Sequence, residues 1–161
     1  MNYSDAQKLA KGILTYNLTM VLATTDGDSP WAATVVYIMD DQFNLYFMSG
    51  MDSDHVRHIM NNPNVAVVVQ DQRFGENSGS GVQLRGLAGL LEESRYPEIT
   101  RVFFRAKYPG NAAMPDYLQP KHILQSNRRL FKVTPSSFYV WDREHWNSHR
   151  EDRRVEVNFR I

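Results

Sequence analysis

The chain has 161 residues, room for one hydrophobic core but not for two that would each be stable without staples, so a single domain over 1–161 is expected. With 42% hydrophobic and 22% charged residues it falls outside the disordered and membrane classes. Lys+Arg and Asp+Glu each number 18, leaving a formal net charge of +0 and no field to draw nucleic acid or anionic lipid, and the absence of Cys excludes disulfides, thiolate metal sites and cysteine nucleophiles.

From the first residue, Met1 to Lys11 reads as a polar helix start rather than a basic segment followed by an apolar run. No stretch approaches the roughly 20 apolar residues of a membrane-spanning helix, so the expected location is the cytoplasm, with no membrane partner. Ser4 followed three residues later by Gln7 is a capping-box pattern. Ala6, Leu9, Ala10, Ile13 and Leu14 then share one helical face. Thr19 to Thr25 favours a strand and ends at the Asp26-Gly27 turn pair. Trp31 to Met39 resumes the extended pattern, giving a hairpin. A second turn at Asp40-Asp41-Gln42 leads into Asn44 to Ser49, with Leu45, Phe47 and Ser49 on one face and Tyr46 and Met48 on the other.

Ser53 is placed to cap a short helix that carries Val56, Ile59 and Met60 and stops at Asn61-Asn62-Pro63. Val65 to Val69, an unbroken β-favouring run, predicts a buried strand, and Arg73 to Ser80 a loop. Val82 to Leu91 predicts a strand bent or bulged at Gly86 and Gly89, as curved barrel strands require. Pro97 to Tyr108 has helical spacing and ends at Pro109-Gly110, whereas Asn111 to Asn127 has no clear period. Arg129 to Val133 and Ser137 to Trp141, alternating around Thr134-Pro135, predict a closing hairpin. Asp142 to Arg154, of mixed charge, predicts a solvated loop or tail, and Val155 to Ile161 an edge strand. The sum is an α+β protein, an antiparallel β-barrel with flanking helices, and it lacks the Gly-rich phosphate fingerprint of a doubly wound sheet.

The segment most able to carry chemistry is Leu45 to Arg57, where a strand delivers a hydroxyl-bearing loop onto a helix N-terminus. Such a terminus offers unpaired amides and partial positive charge, which favour a phosphate. Ser49 and Ser53 supply hydroxyls, and His55 and Arg57 supply imidazole and guanidinium donors if they turn toward the same point.

The ordered set of Pro30-Trp31-Ala32-Ala33-Thr34-Val35-Val36-Tyr37, Leu45-Tyr46-Phe47-Met48-Ser49, Ser53-Asp54-His55, Asn61-Asn62-Pro63 and Val82 to Ala88 resembles the pyridoxamine 5′-phosphate oxidase-like split barrels that bind flavin mononucleotide (FMN). The match runs from about Thr19 to about Leu91, with an echo at Phe138 to Trp141. The resemblance implies an antiparallel split β-barrel, a homodimer, and FMN at the subunit interface. Ala33, Thr34, Val35 and Val36 would meet the ring edge, and Ser49, Ser53 and His55 the phosphate. Gln83 and Arg85, on one face of their strand, could reach across a dimer interface, and Trp31, Tyr37 and Trp141 offer stacking surfaces; Gln83 and Trp141 join the cofactor-binding candidates.

His55 stands where relatives commonly have Lys. Ala33 and Ile38 replace the Arg and Lys that bracket the second-strand motif of the true oxidase, so the likeness is to the family and not to that enzyme. The activity that this resemblance implies is that of an FMN-dependent oxidoreductase acting on a small organic substrate, with a nicotinamide as a possible donor and the flavin itself carrying the redox chemistry. The alternatives are a non-catalytic flavin- or haem-binding sensing module, deazaflavin or haem in place of FMN, or an empty dimeric scaffold. His145 with His149, and His55 with His58, could align on helix faces, but neither pair has a third ligand, so no metal site is assigned.

Overall fold

The computed structural model of the chain describes residues 1–74 and 80–159. Helix α1, Tyr3–Tyr16, buries Ala6, Ala10, Ile13 and Leu14. Its cap is Asn2 and not the expected Ser4. The Asn2 side-chain oxygen accepts from the Asp5 amide at 3.0 Å, and its amide nitrogen donates back to the Asp5 carboxylate at 2.8 Å. This reciprocal pair satisfies a first-turn donor one turn earlier and leaves Ser4 inside the helix.

Strands β1 (Thr19–Thr25), β2 (Pro30–Met39) and β3 (Leu45–Gly50) form the expected meander. The first turn is closed by the Asp26 carboxylate, which accepts from the amides of Asp28 and Ser29 at 3.0 and 2.9 Å, and Gly27 there adopts φ +112°. The second turn is closed by Asp40, which accepts from the amides of Gln42 and Asn44 and from the Tyr46 hydroxyl. Helix α2 (Asp54–Asn61), β4 (Asn64–Gln70), β5 (Gly81–Leu90), α3 (Tyr96–Lys107), α4 (Pro120–Gln125), β6 (Arg128–Trp141), α5 (Arg143–His149) and β7 (Arg154–Val157) follow. The stretch with no clear period thus holds a 3₁₀ turn, Asp116–Leu118, and α4.

All strand pairs are antiparallel, in the order β3-β2-β1-β4-β5-β6-β7. An additional β3–β6 pairing, from Leu45↔Val133 to Gly50↔Arg128, closes six strands into a barrel, and β7 continues outward from β6. One core fills the barrel, with Leu22, Leu45, Phe47, Val67 and Phe131 packed under α1. A second lies outside it, where Ile38, Tyr46 and Leu130 pack under Tyr96, Ile99 and Phe103 of α3. The opposite facing of Leu45 and Phe47 against Tyr46 and Met48 follows from the strand period of two.

Three expectations are corrected. Val65 to Val69 is not buried on both faces: Val65, Val67 and Val69 point into the core, while Ala66 and Val68 are exposed. The outer face of β1, β4 and β5 therefore presents Val21, Val68 and Leu87. Thr134-Pro135 is not a hairpin turn. Arg128–Trp141 is one 14-residue strand, because the register shifts at Arg85/Gly86 and Pro135 sits at that bulge, where its missing N–H costs no ladder bond.

Nor is 142–154 a loop or tail: it is largely solvated, as expected, yet it forms α5 and runs into β7. Asp142 is fully buried, caps α5 by accepting from the His145 amide at 3.1 Å, and accepts from the Met1 amino group at 3.2 Å. Within the expected 73–80 loop, Arg73 and Phe74 belong to a 3₁₀ turn, Gln72–Phe74, and 75–79 lie outside the described residues. The same is true of 160–161 in the expected last strand; that strand, β7, ends at Val157, and Asn158 and Phe159 beyond it are not part of it. Among the described residues, no helix is long and apolar enough to cross a membrane.

The bulge makes Gly86 indispensable, since a Cβ there would sit 2.6 Å from the Thr134 carbonyl oxygen and 3.0 Å from the Pro135 Cα. Gly86→Val is expected to lower stability by about 2 kcal/mol or more, seen as a lower urea midpoint with an unchanged slope. An unaltered midpoint would mean that the strand pair does not need this close approach.

Candidate functional site

Strand β3 ends at Gly50 and the chain turns at once into α2. The Ser53 amide donates to the Gly50 carbonyl at 3.2 Å, and the Ser53 hydroxyl donates to the same oxygen at 2.8 Å. Ser53 is therefore the N-cap by position but does not cap with its side chain, because the hydroxyl is turned back to tighten the loop. The amides of Asp54 and His55 consequently have no acceptor among the described residues. Two free donors at the positive end of a helix remain available to an anion.

His55 lies beside them, 8% exposed, with its Nε2 at 2.6 Å from the Ser49 hydroxyl and 3.3 Å from the Ser53 hydroxyl. Burial pushes its pKa below the ordinary 6.5, the Asp54 charge works in the opposite sense, and His58 adds to the lowering. The imidazole is accordingly neutral at pH 7. Arg57 does not turn toward this point. It is exposed, pairs with Asp54 and donates to the Asp52 carbonyl at 2.6 Å.

Ser49 and His55 open into a cavity of about 690 Å³. Its walls are Thr34, Val35 and Val36 of β2, Met48, Ser49 and Gly50 of β3, His55 of α2, Phe103 and Lys107 of α3, Tyr117 and Leu118 of the 3₁₀ turn, and Arg128 of β6. Thr34, Val35, Val36, Ser49 and His55, separated by up to two strands in sequence, are thus brought together. Ser53 stands just behind them through its contact with His55, and Ala33 packs on the barrel core instead of lining the wall.

Gln83 and Trp141 lie elsewhere in the protomer, in a separate recess of about 180 Å³ that also includes Arg154. There Arg154 Nε donates to the Gln83 side-chain oxygen at 3.3 Å, and Trp141 is the strand partner of Arg154. Tyr37 is not a stacking surface. It is buried, and its hydroxyl donates to the Leu14 carbonyl at 2.7 Å. Trp31 is exposed at the start of β2.

Lys107, Tyr117 and Arg128 were not among the residues that sequence patterns single out. Arg128 reaches the cavity only because it is the strand partner of Gly50, and no local motif encodes that pairing. Tyr117 shares a hydroxyl–hydroxyl hydrogen bond with Tyr108; burial first, then this bond, pushes its pKa up to about 12, so it stays a neutral phenol. Lys107 Nζ lies 6.0 Å from the Tyr108 ring centroid. Among the described residues no Asp or Glu lines the cavity and Lys107 and Arg128 do, although Asp52 and Asp54 stand next to Gly50 and His55. Among the described residues, no three His, Asp or Glu side chains gather into a metal-sized cluster, and His145 and His149 stack on each other at 4.3 Å.

The closed antiparallel barrel with its helical flanks defines a split β-barrel protein. The family described as pyridoxamine 5′-phosphate oxidase matches residues 6–142, and the chain belongs to it. No curated protein matches the chain in sequence. Solved structures similar to it include General Stress Protein 26 of Bacillus anthracis, at 23% identity and TM-score 0.56, over 83% of this chain and 92% of that one. Campylobacter jejuni ChuZ is similar at 17% identity and TM-score 0.69, over 87% of this chain and 56% of its own. HutZ, the haem storage protein of Vibrio cholerae, is similar at 14% identity and TM-score 0.64, over 81% of this chain and 90% of its own.

Because the His55 pKa is depressed on folding, the native state binds fewer protons than the unfolded chain just below pH 6.5. Its contribution to stability is complete above that value and is lost as the pH falls through the folded-state pKa. His55→Gln is expected to flatten the pH dependence of the urea midpoint between pH 7 and the onset of carboxylate titration, about pH 4. If wild type and variant trace parallel profiles there, His55 is not the group that titrates.

Proposed function

We propose that the chain is an FMN-dependent oxidoreductase of this family, working as a cytoplasmic homodimer on a small organic substrate with a reduced nicotinamide as donor. The cavity at the end of β3 carries this reading. Its donor set suits a phosphate monoester: the free His55 amide, the Ser49 hydroxyl, the neutral His55 and the Arg128 guanidinium, with no carboxylate among the lining residues. Arg128 supplies the cationic charge that His55 does not. Thr34 to Val36 then lie along the wall where a planar ring extending from that phosphate would rest, able to present backbone hydrogen-bonding groups to its edge.

A bound flavin would supply hydride and electron transfer, and the protein's part is to hold, orient and keep water from the ring. Tyr117, protonated well beyond neutral pH, can donate a hydrogen bond there without acting as a base. Gln83 and Trp141 are cofactor-binding candidates, yet they line a recess apart from the main cavity. A second copy bringing its own Gln83, Trp141 and Arg154 to this cavity reconciles the two. The exposed Val21, Val68 and Leu87 of the outer sheet face supply the apolar surface for such pairing.

Freshly purified protein should show the two visible bands of a flavin. A Soret band in their place would assign the cavity to haem, and a colourless protein that takes up no FMN would remove the cofactor reading. His55→Glu with Arg128→Glu should weaken FMN binding at least tenfold, about 1.4 kcal/mol, by fluorescence titration. Val68→Glu should convert dimer to monomer in sedimentation and lose FMN together; a monomeric wild type would refute the shared site.

A further inference from the structure

The end of the cavity that carries Ser49, Gly50 and His55 touches the elbow between α4 and β6, formed by Ser126 and Asn127. The Asn127 carbonyl accepts from the Met51 amide at 2.9 Å, immediately after the last residue of β3, so the turn into α2 is tied to the elbow through this oxygen. The elbow belongs to neither neighbouring element, and side-chain bonds hold its shape. The Ser126 hydroxyl donates to the Ile123 carbonyl at 2.8 Å and accepts from the Arg128 amide at 3.1 Å. Arg129 Nη1 donates to the Ser126 and Arg128 carbonyls at 3.0 and 2.6 Å, with the Ile123 carbonyl farther off at 3.4 Å. Its two near acceptors come from the residues before and after Asn127, so the guanidinium brackets that residue. A cation over the last carbonyls of a helix also suits the negative end of its dipole. Among the described residues no carboxylate pairs with Arg129, and it stands opposite Ser49 in the ladder as Arg128 stands opposite Gly50.

We propose that Arg129, with Ser126, is a positioning residue for the anion end of the site. By fixing the elbow it holds the Asn127 carbonyl on the Met51 amide, and so sets where the His55 amide, the Ser49 hydroxyl and the Arg128 side chain stand relative to one another. The proposal rests on the cofactor reading above in naming the FMN phosphate as what that end holds. Donors kept at fixed separations take up a phosphate without first being ordered, whereas a loose turn must lose conformational freedom on binding. The effect of Arg129 therefore falls on the phosphate. It spares the wall of Thr34, Val35 and Val36, which is laddered to β1 and does not touch the elbow.

The test pairs flavin titration with amide exchange. Arg129→Met keeps a long stem and removes every donor, Arg129→Lys keeps a cation, and Ser126→Ala, at an exposed position, removes the hydroxyl bonds of the elbow. By fluorescence titration, Arg129→Met should weaken FMN binding roughly fivefold or more and leave riboflavin, which lacks the phosphate, within about twofold. Ser126→Ala should shift FMN in the same direction, and Arg129→Lys should return it to within about twofold of wild type. In ligand-free protein, NMR hydrogen exchange at the Met51 amide should be about tenfold faster in Arg129→Met, with the Phe47 and Phe131 amides of the barrel unchanged. Equal loss of FMN and riboflavin, an FMN affinity that does not respond, or an unchanged Met51 rate overturns the proposal. Should Arg129→Met fail to fold, Ser126→Ala under the same two measurements decides in its place. A wild type that binds neither flavin, or both equally, removes the phosphate reading of the cavity, and the Met51 rate then decides alone whether Arg129 holds the turn.

Discussion

The β3–β6 pairing is the constraint on which the rest depends. Without it the seven strands would be an open sheet with β3 as one edge, and Gly50 would end in solvent. With it, Arg128 is fixed opposite Gly50, the Met51 amide donates to the Asn127 carbonyl at 2.9 Å, and the turn into α2 is held from both sides. Ser49, His55 and Arg128 thereby line one cavity, although they come from three segments of chain. A long β6 is the price, since one strand must serve β5, β3 and β7. The bulge at Gly86 and Pro135 supplies the bend that lets it do so.

Charge is sorted in a way that the zero net value conceals. Acidic side chains close turns. Asp26 accepts from two backbone amides, those of Ser29 and Asp28 hold its carboxyl below the usual carboxylate range, and Asp40, Asp71 and Asp142 anchor their own loops in the same manner. Basic side chains are left to face the cavity from α3 and β6. A neutral chain can therefore place cations in a pocket without the long-range field that would attract polyanions.

His55 shows how one residue's environment can differ from its likeness. Where the family resemblance leads to the expectation of a lysine, this chain buries an imidazole against two serines. Burial lowers its pKa, so it acts as a neutral hydrogen-bonding group and the permanent charge is moved to Arg128.

Length and composition, the period-two strands from Thr19 to Leu91, and the order of motifs determined that this is an antiparallel barrel of the pyridoxamine 5′-phosphate oxidase family. The resemblance put forward Thr34, Val35 and Val36, and the strand-to-helix turn put forward Ser49 and His55; the fold brings these five to the wall of one cavity. Local patterns misplaced the α1 cap, the exposed face of β4, the Thr134-Pro135 bend and the buried Asp142. The α1 cap is local, Asn2 with Asp5, but the other three are decided by partners distant in sequence: a core on one side only, a bulge in another strand, and a contact across the fold. The cationic wall of Lys107, Tyr117 and Arg128 belongs to the same class. No spacing rule joins a helix end, a 3₁₀ turn and a strand start, and only closure of the barrel, with α3 packed on its outer core, sets them around one space.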